Sequence, residues 1–202
     1  LDPKPEACRQ VRLRAPILTE EEMAKIRAFS ASDGHFRSRV IRAVFPLAEG
    51  TTGLERALDR ICDEGSRAVA EGVRFLILSD RDADRENVPV PSLLATSGLH
   101  HHLVRRGERS AVGLVVETGE PREVHHISAL LGYGAGAVHP YLVFESIDDL
   151  IRQGVIQGID HKEALRRYVK AVKKGVLKIL SKMGISTVQS YRGAQVFEAI
   201  GL

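Results

Sequence analysis

The segment Arg74 to Ser79 (RFLILS) carries four consecutive apolar side chains with no polar alternation. A strand reads this way when both faces of its sheet are covered, as in a parallel sheet flanked by helices. Similar short runs recur at Val40 to Phe45, Val112 to Glu117 and Ala137 to Val143. Between them lie helical patterns: Thr51 to Glu71, with Leu54, Leu58, Ile61, Cys62 and Val69 on one stripe; Ser92 to Arg106, stopped by Gly107; and Pro121 to Leu131. Strands that alternate with helices pair in parallel through right-handed crossovers, so the chain is expected to be α/β, a parallel βαβ sheet with flanking helices.

Ahead of this series, a Pro-rich charged opening reads as a connector. Thr19-Glu20-Glu21-Glu22 forms a capping box that opens a helix through Phe29. Behind the series, the polar, Gly-punctuated stretch 146–160 reads as a linker after a first unit at 1–145. Residues 161–202 then begin a second series: a basic helix, His161 to Lys174, followed by a strand at Val176 to Leu180 with Ser181-Lys182-Met183-Gly184 at its end.

With 44% hydrophobic and 27% charged residues, the chain is globular rather than disordered. No apolar run approaches the roughly 20 residues of a membrane span, and no signal peptide is visible. The net charge of +3 is spread among interleaved acids and bases. With 5% aromatics and no Trp, no nucleic-acid patch is indicated. Cys8 and Cys62 lack CxxC spacing, which argues against a disulfide scaffold or zinc knuckle and fits a reducing cytoplasm.

Short motifs carry little chemistry here. Gly132-Tyr133-Gly134-Ala135-Gly136 lacks dinucleotide spacing and follows a helix, so it reads as a helix-to-strand turn. His100-His101-His102 and His125-His126 are consecutive residues that fan out around a helix, so they are read as polar lining at strand ends rather than as a metal site. No GxSxG elbow occurs, and Cys8 has no activating neighbour in its connector. The alternating carboxylates Asp80, Asp82 and Asp84 lack a calcium loop's glycine and distal Glu, and read as a solvated surface loop. The segment Ser181 to Gln195 is the most suggestive of a ligand, with a glycine at a strand end and the clustered polar residues Ser186, Gln189, Ser190 and Gln195.

Longer stretches carry a resemblance. KILSKMGISTVQSYRGAQVFEAIGL (178–202) resembles the opening of the FMN-binding domain of glutamate synthases. APILTEEE (15–22), LSDR (78–81), VPVPSLLATSGLHHHL (88–103) and VVETGEPREVHHISALLGYGAGAVHPYL (115–142) resemble the central domain of the same large subunit. The resemblance covers nearly the whole chain and is weakest at 30–50. It implies a fragment whose residues 161–202 start a TIM-type (β/α)8 barrel. The parent enzyme would release ammonia from glutamine in an amidotransferase domain, pass it through a tunnel, and use FMN and a 3Fe-4S cluster to form glutamate from 2-oxoglutarate. Electrons would come from a NADPH-dependent flavoprotein small subunit or from ferredoxin, in a bacterial cytoplasm or a plastid. The piece itself would connect the two active sites, help wall the tunnel and hold no cofactor tightly.

By the same resemblance, Ser181, Lys182, Met183, Gly184 and Gln195 would contact the FMN. Position 1 is Leu and the chain has two cysteines, so the amidotransferase nucleophile and the cluster ligands are expected elsewhere in the parent. The rival expectation is a free-standing scaffold or binding protein that keeps this fold without the chemistry.

Overall fold

The computed structural model describes residues 10–32 and 36–197. The Pro-rich opening with Cys8 and the last five residues of the 178–202 resemblance lie outside this range. Four parallel strands form the main sheet: β1 (Ser38–Arg42), β3 (Phe75–Ser79), β5 (Gly113–Glu117) and β6 (Ala137–His139), in the order β1-β3-β5-β6. Chain order and spatial order coincide, so the sheet has no switch point of the doubly wound kind. Its winding is that of one arc of a barrel. A separate antiparallel ribbon pairs β2 (Val44–Pro46) with β4 (Asn87–Pro89) beyond the ends of β1 and β3.

Alternate strand residues face opposite layers, as the period of two requires. Leu76, Leu78 and Leu114 pack against α2 (Gly50–Ala70) and α3 (Ser92–Arg105), where Ile61, Leu99 and Leu103 are fully buried. Val116 and Val138 meet the layer of α4 (Val124–Gly132). Ile77, Val115 and Ala137 point the other way, onto Leu18, Met23 and Ile26 of α1 (Glu20–Ser32) and its lead-in. The α1 helix therefore occupies the concave side, which a closed barrel would fill with its own side chains. Its start is the expected capping box: Glu22 N–H donates to Thr19 Oγ1 at 3.3 Å and Thr19 N–H to Glu22 Oε2 at 3.0 Å.

Three expectations need correction. The run Val40 to Phe45 is not one strand, because the chain breaks at Ala43 and its two halves join different sheets. The run Ala137 to Val143 stops pairing at His139, and α5 (Tyr141–Arg152) takes up the end of the expected strand and the start of the expected linker. Third, no strand forms at Val176 to Leu180. These residues continue α6 (His161–Lys182) straight through Gly175. The apolar spacing explains it: Val172, Val176 and Leu180 repeat every four residues and are 2–4% exposed, while Lys173, Lys174 and Lys178 fall outside that stripe. Gly175 does not break the helix; it is where α6 passes α4. A Cβ there would lie 2.4 Å from Val124 Cγ2. Ser181 and Lys182 thus close a helix rather than a strand, and Gly184 follows at φ +68°, the usual left-handed stop.

Candidate functional site

Most of the buried polar residues gather at one place, the C-terminal edge of the main sheet, Thr96 and Ser128 lying instead within α3 and α4. Register aligns Arg42, Ser79, Glu117 and His139 across the four strands. The last three share the parity of Ile77, Val115 and Ala137, so each strand ends its concave face on a polar side chain. Glu117, 1% exposed, accepts from Ser79 Oγ at 2.5 Å and Arg81 Nε at 3.0 Å, and pairs with Arg27 of α1. Burial alone would raise its pKa; the Ser79 hydroxyl, Arg27 and Arg81 outweigh that and hold it below the ordinary carboxylate range.

Arg81 is the hub. It donates to Glu20 at 2.6 Å and to Glu145 at 2.9 Å, and lies 4.2 Å over the Tyr141 ring. His139, fully buried, places Nδ1 2.9 Å from the Leu18 carbonyl oxygen and Nε2 3.2 Å from Glu20. On the opposite parity, buried Asp80 accepts from the Thr118 hydroxyl, from Gly119 N–H at 3.1 Å and from the Tyr141 hydroxyl. Burial nevertheless pushes the Asp80 carboxyl above its usual pKa. Glu120 closes the rim by accepting from Ser92 Oγ at 2.6 Å and from its N–H at 3.0 Å, capping α3. The void left between these strand ends and the β4–α3 connection is about 10 Å³, room for no more than one water. Chemically this is a closed network of complementary charges, with each buried acceptor matched to a donor.

The expected site residues lie elsewhere. Ser181, Lys182, Met183 and Gly184 are exposed at the end of α6, where Ser181 Oγ donates back to the Leu177 carbonyl at 2.8 Å. Gln195 is exposed, with a left-handed φ of +55°. The histidines diverge, as their spacing implied. His100 Nδ1 accepts from Arg109 at 2.9 Å, His102 lies 2.9 Å from Ser66, and His126 accepts from the Arg122 N–H. Burial, then the charge of Arg109, pushes His100 down to about 4. Gly132 to Gly136 is the expected turn, Gly134 adopting φ +123° against the His100 ring. The surface-loop reading holds for exposed Asp82 and Asp84 but fails for Asp80, which is 4% exposed. Sequence reasoning missed Ser79, Glu117 and His139 as a set. The available signal was a polar residue ending the apolar runs at Ser79 and Glu117; His139 sat inside the run expected at Ala137 to Val143 and gave none.

Comparison with known proteins fits this picture. A profile of the glutamate synthase central domain matches residues 1–202. The chain belongs to the glutamate synthase central-domain family. Relatives include the NADH-type glutamate synthase of Schizosaccharomyces pombe, 44% identical over 96% of this chain, and the NADPH-type large chain of Bacillus subtilis, 42% identical over all of it. The ferredoxin-dependent enzyme of Pyropia yezoensis is 37% identical over the full chain. The chain spans 9%, 13% and 14% of these three proteins.

Among solved structures, the flavin-binding domain of baker's yeast flavocytochrome b2 superposes with a TM-score of 0.53 at 14% identity, covering 90% of this chain and 41% of that one. A mandelate oxidase variant carrying an FMN adduct gives 0.52 at 14% identity, over 87% and 45%. At such identities the likeness is one of fold: this central-domain chain winds like part of a TIM-barrel flavoenzyme. No helix among the described residues is long and apolar enough to cross a membrane.

Proposed function

We propose that this chain is the central-domain segment of a glutamate synthase large subunit, and that it serves there as a rigid, non-catalytic connecting body. The observation that carries the reading is the closed C-terminal sheet edge. Barrel enzymes build their sites at that edge, and here Glu117, Arg81, Tyr141 and His139 occupy it with their polar groups engaged by one another and by Glu20. A network whose charges are already paired leaves no donor set for a flavin, and this supports placing FMN and the 3Fe-4S cluster in other domains of the parent. In the parent, ammonia released by the amidotransferase domain would pass along this body to the flavin domain, where 2-oxoglutarate becomes glutamate. NADPH, through a flavoprotein small subunit, or ferredoxin would supply electrons. A wall for ammonia must be stiff, and a fully matched buried ion network is one way to make it so. Exposed Ser181, Lys182, Met183, Gly184 and Gln195 are proposed to face the FMN-bearing domain. The end of α6 offers carbonyls rather than the N–H groups that favour a phosphate, so the contact would be with the flavin ring side.

The test is made on the full-length parent polypeptide, comparing wild type with Glu117→Gln. Per folded molecule, flavin content and glutamine hydrolysis should be unchanged, while free ammonia released per glutamate formed should rise several-fold. A wild-type parent that makes no glutamate would refute the enzyme assignment. Flavin content that falls in step with the substitution would refute the non-catalytic role.

A further inference from the structure

Two half-buried arginines and a histidine meet at the turn 132–136 between α4 and β6. Arg109 donates to His100 Nδ1 at 2.9 Å, to the Val112 carbonyl at 2.7 Å and to the Gly134 carbonyl at 2.8 Å. Because Nδ1 accepts, the His100 ring is neutral. In the same turn the Gly132 carbonyl accepts from Gly193 N–H at 3.0 Å, which fastens Arg192 to the site. Its charge is felt there: after burial it is Arg192 that lowers the Arg109 pKa to about 10, and it also depresses His100.

No described carboxylate offsets this charge. Arg109 gives its hydrogen bonds to neutral acceptors only, and Arg192 donates to Gln189 Oε1 at 2.6 Å while its Nε is buried with no partner. Burial lowers the pKa of Arg192 as it does that of Arg109, and no acid raises either again. Arg81 shows the contrast. There burial is the largest single influence, yet Glu117, Glu20 and Glu145 together outweigh it and leave the pKa above its usual value. Two neighbouring guanidinium groups withdrawn from water without a counter-charge are costly unless an anion completes them.

The site is open on one side. Arg192 and Gln189 line a cavity of about 990 Å³ at the starts of β3, β5 and β6, and among the described residues no acidic side chain lines it. With its amide oxygen taken by Arg192, the Gln189 side chain has only N–H groups left to offer. The cluster therefore presents donors to the cavity, and a guanidinium matches the paired oxygens of a carboxylate or phosphate. We propose that Arg192, backed by the charge of Arg109, binds a small free oxyanion, a carboxylate or phosphate group, that enters from this cavity. Occupancy neutralises the pair and holds 188–193 on the 132–136 turn. The site goes beyond the connecting role and needs only the fold.

Arginine labelling of the full-length protein tests it. Phenylglyoxal modifies guanidinium groups that a ligand leaves uncovered, and peptide mass spectrometry reads each arginine separately. In a sulfonate buffer of constant ionic strength Arg192 should react. Inorganic phosphate or glutarate, added separately, should slow that reaction saturably, about tenfold at ten times the dissociation constant. Protection by phosphate alone identifies a phosphate ligand, and protection by glutarate alone a carboxylate. Exposed Arg37 and Arg74, on the same cavity, are the internal controls and should keep their rates. Four outcomes overturn the proposal: neither anion slows Arg192; chloride slows it equally, which is screening; Arg37 and Arg74 slow in proportion; or Arg192 is unreactive from the start, which means that the parent polypeptide itself covers it. None depends on whether glutamate is formed, so the functional reading can fail separately.

Discussion

Replacing Glu117 by Gln removes the charge at the centre of the strand-end network while keeping the side chain's size. Taking one partner from a buried ion pair costs on the order of 3–5 kcal/mol. Here the loss falls below that range: Arg81 keeps Glu20 and Glu145, and the Arg27 side chain, 42% exposed, can be rehydrated. We expect a loss of about 2–3 kcal/mol, which for a chain of this size lowers Tm by about 4–12 °C. The pH profile provides a second check. Because the folded pKa of Glu117 is depressed, its contribution is fully present above the unfolded value of about 4.3 and is lost as pH falls through the folded pKa. The stability gap between wild type and Glu117→Gln should therefore be constant above about pH 5 and close under acid conditions. Asp80 acts in the opposite sense. Its raised folded pKa gives a contribution that is present at low pH and lost as pH rises through that pKa, and the variant should expose this slope. Urea unfolding at a series of pH values measures both. A gap under about 0.5 kcal/mol at neutral pH, or one that persists unchanged down to acid unfolding, would show that the network is decoration.

Gly175→Ala gives a sign test of how residues 161–182 join the rest. If α6 docks on α4 as observed, the new methyl meets Val124 and stability falls by about 1–3 kcal/mol; a helix belonging to a separate unit would instead gain about 1 kcal/mol from propensity, and urea melts decide between them. Gly184→Val should cost about 1–2 kcal/mol through its left-handed φ. In the full-length parent, titration of the folded fraction of Gly184→Val and of Gln195→Ala then separates a flavin contact, seen as roughly tenfold weaker binding, from a purely structural role, which leaves affinity unchanged.

The α/β class, the alternation of strands with helices, the capping box at Thr19 and the turn at Gly132 to Gly136 could all be read from local pattern, because each is fixed by short-range sterics and by burial on both faces of a sheet. Val176 to Leu180 could not. A mostly apolar five-residue segment after a glycine, interrupted only by Lys178, suits a strand or a buried helix equally, and only docking against α4, with Gly175 at the crossing point, chose the helix. The break at Ala43 has the same origin: the ribbon with Asn87–Pro89, far away in sequence, captured Val44 to Pro46. Ser79 and Glu117 each looked like the end of an apolar strand, while His139 fell inside the run read as Ala137 to Val143, 22 to 38 residues separating neighbours. Their meeting is set by parallel register, a long-range quantity that no local window contains. The charge totals likewise showed a mildly basic, well-mixed chain. Which arginines find carboxylates, as Arg27 and Arg81 find Glu117, was decided only when the sheet brought its strand ends together.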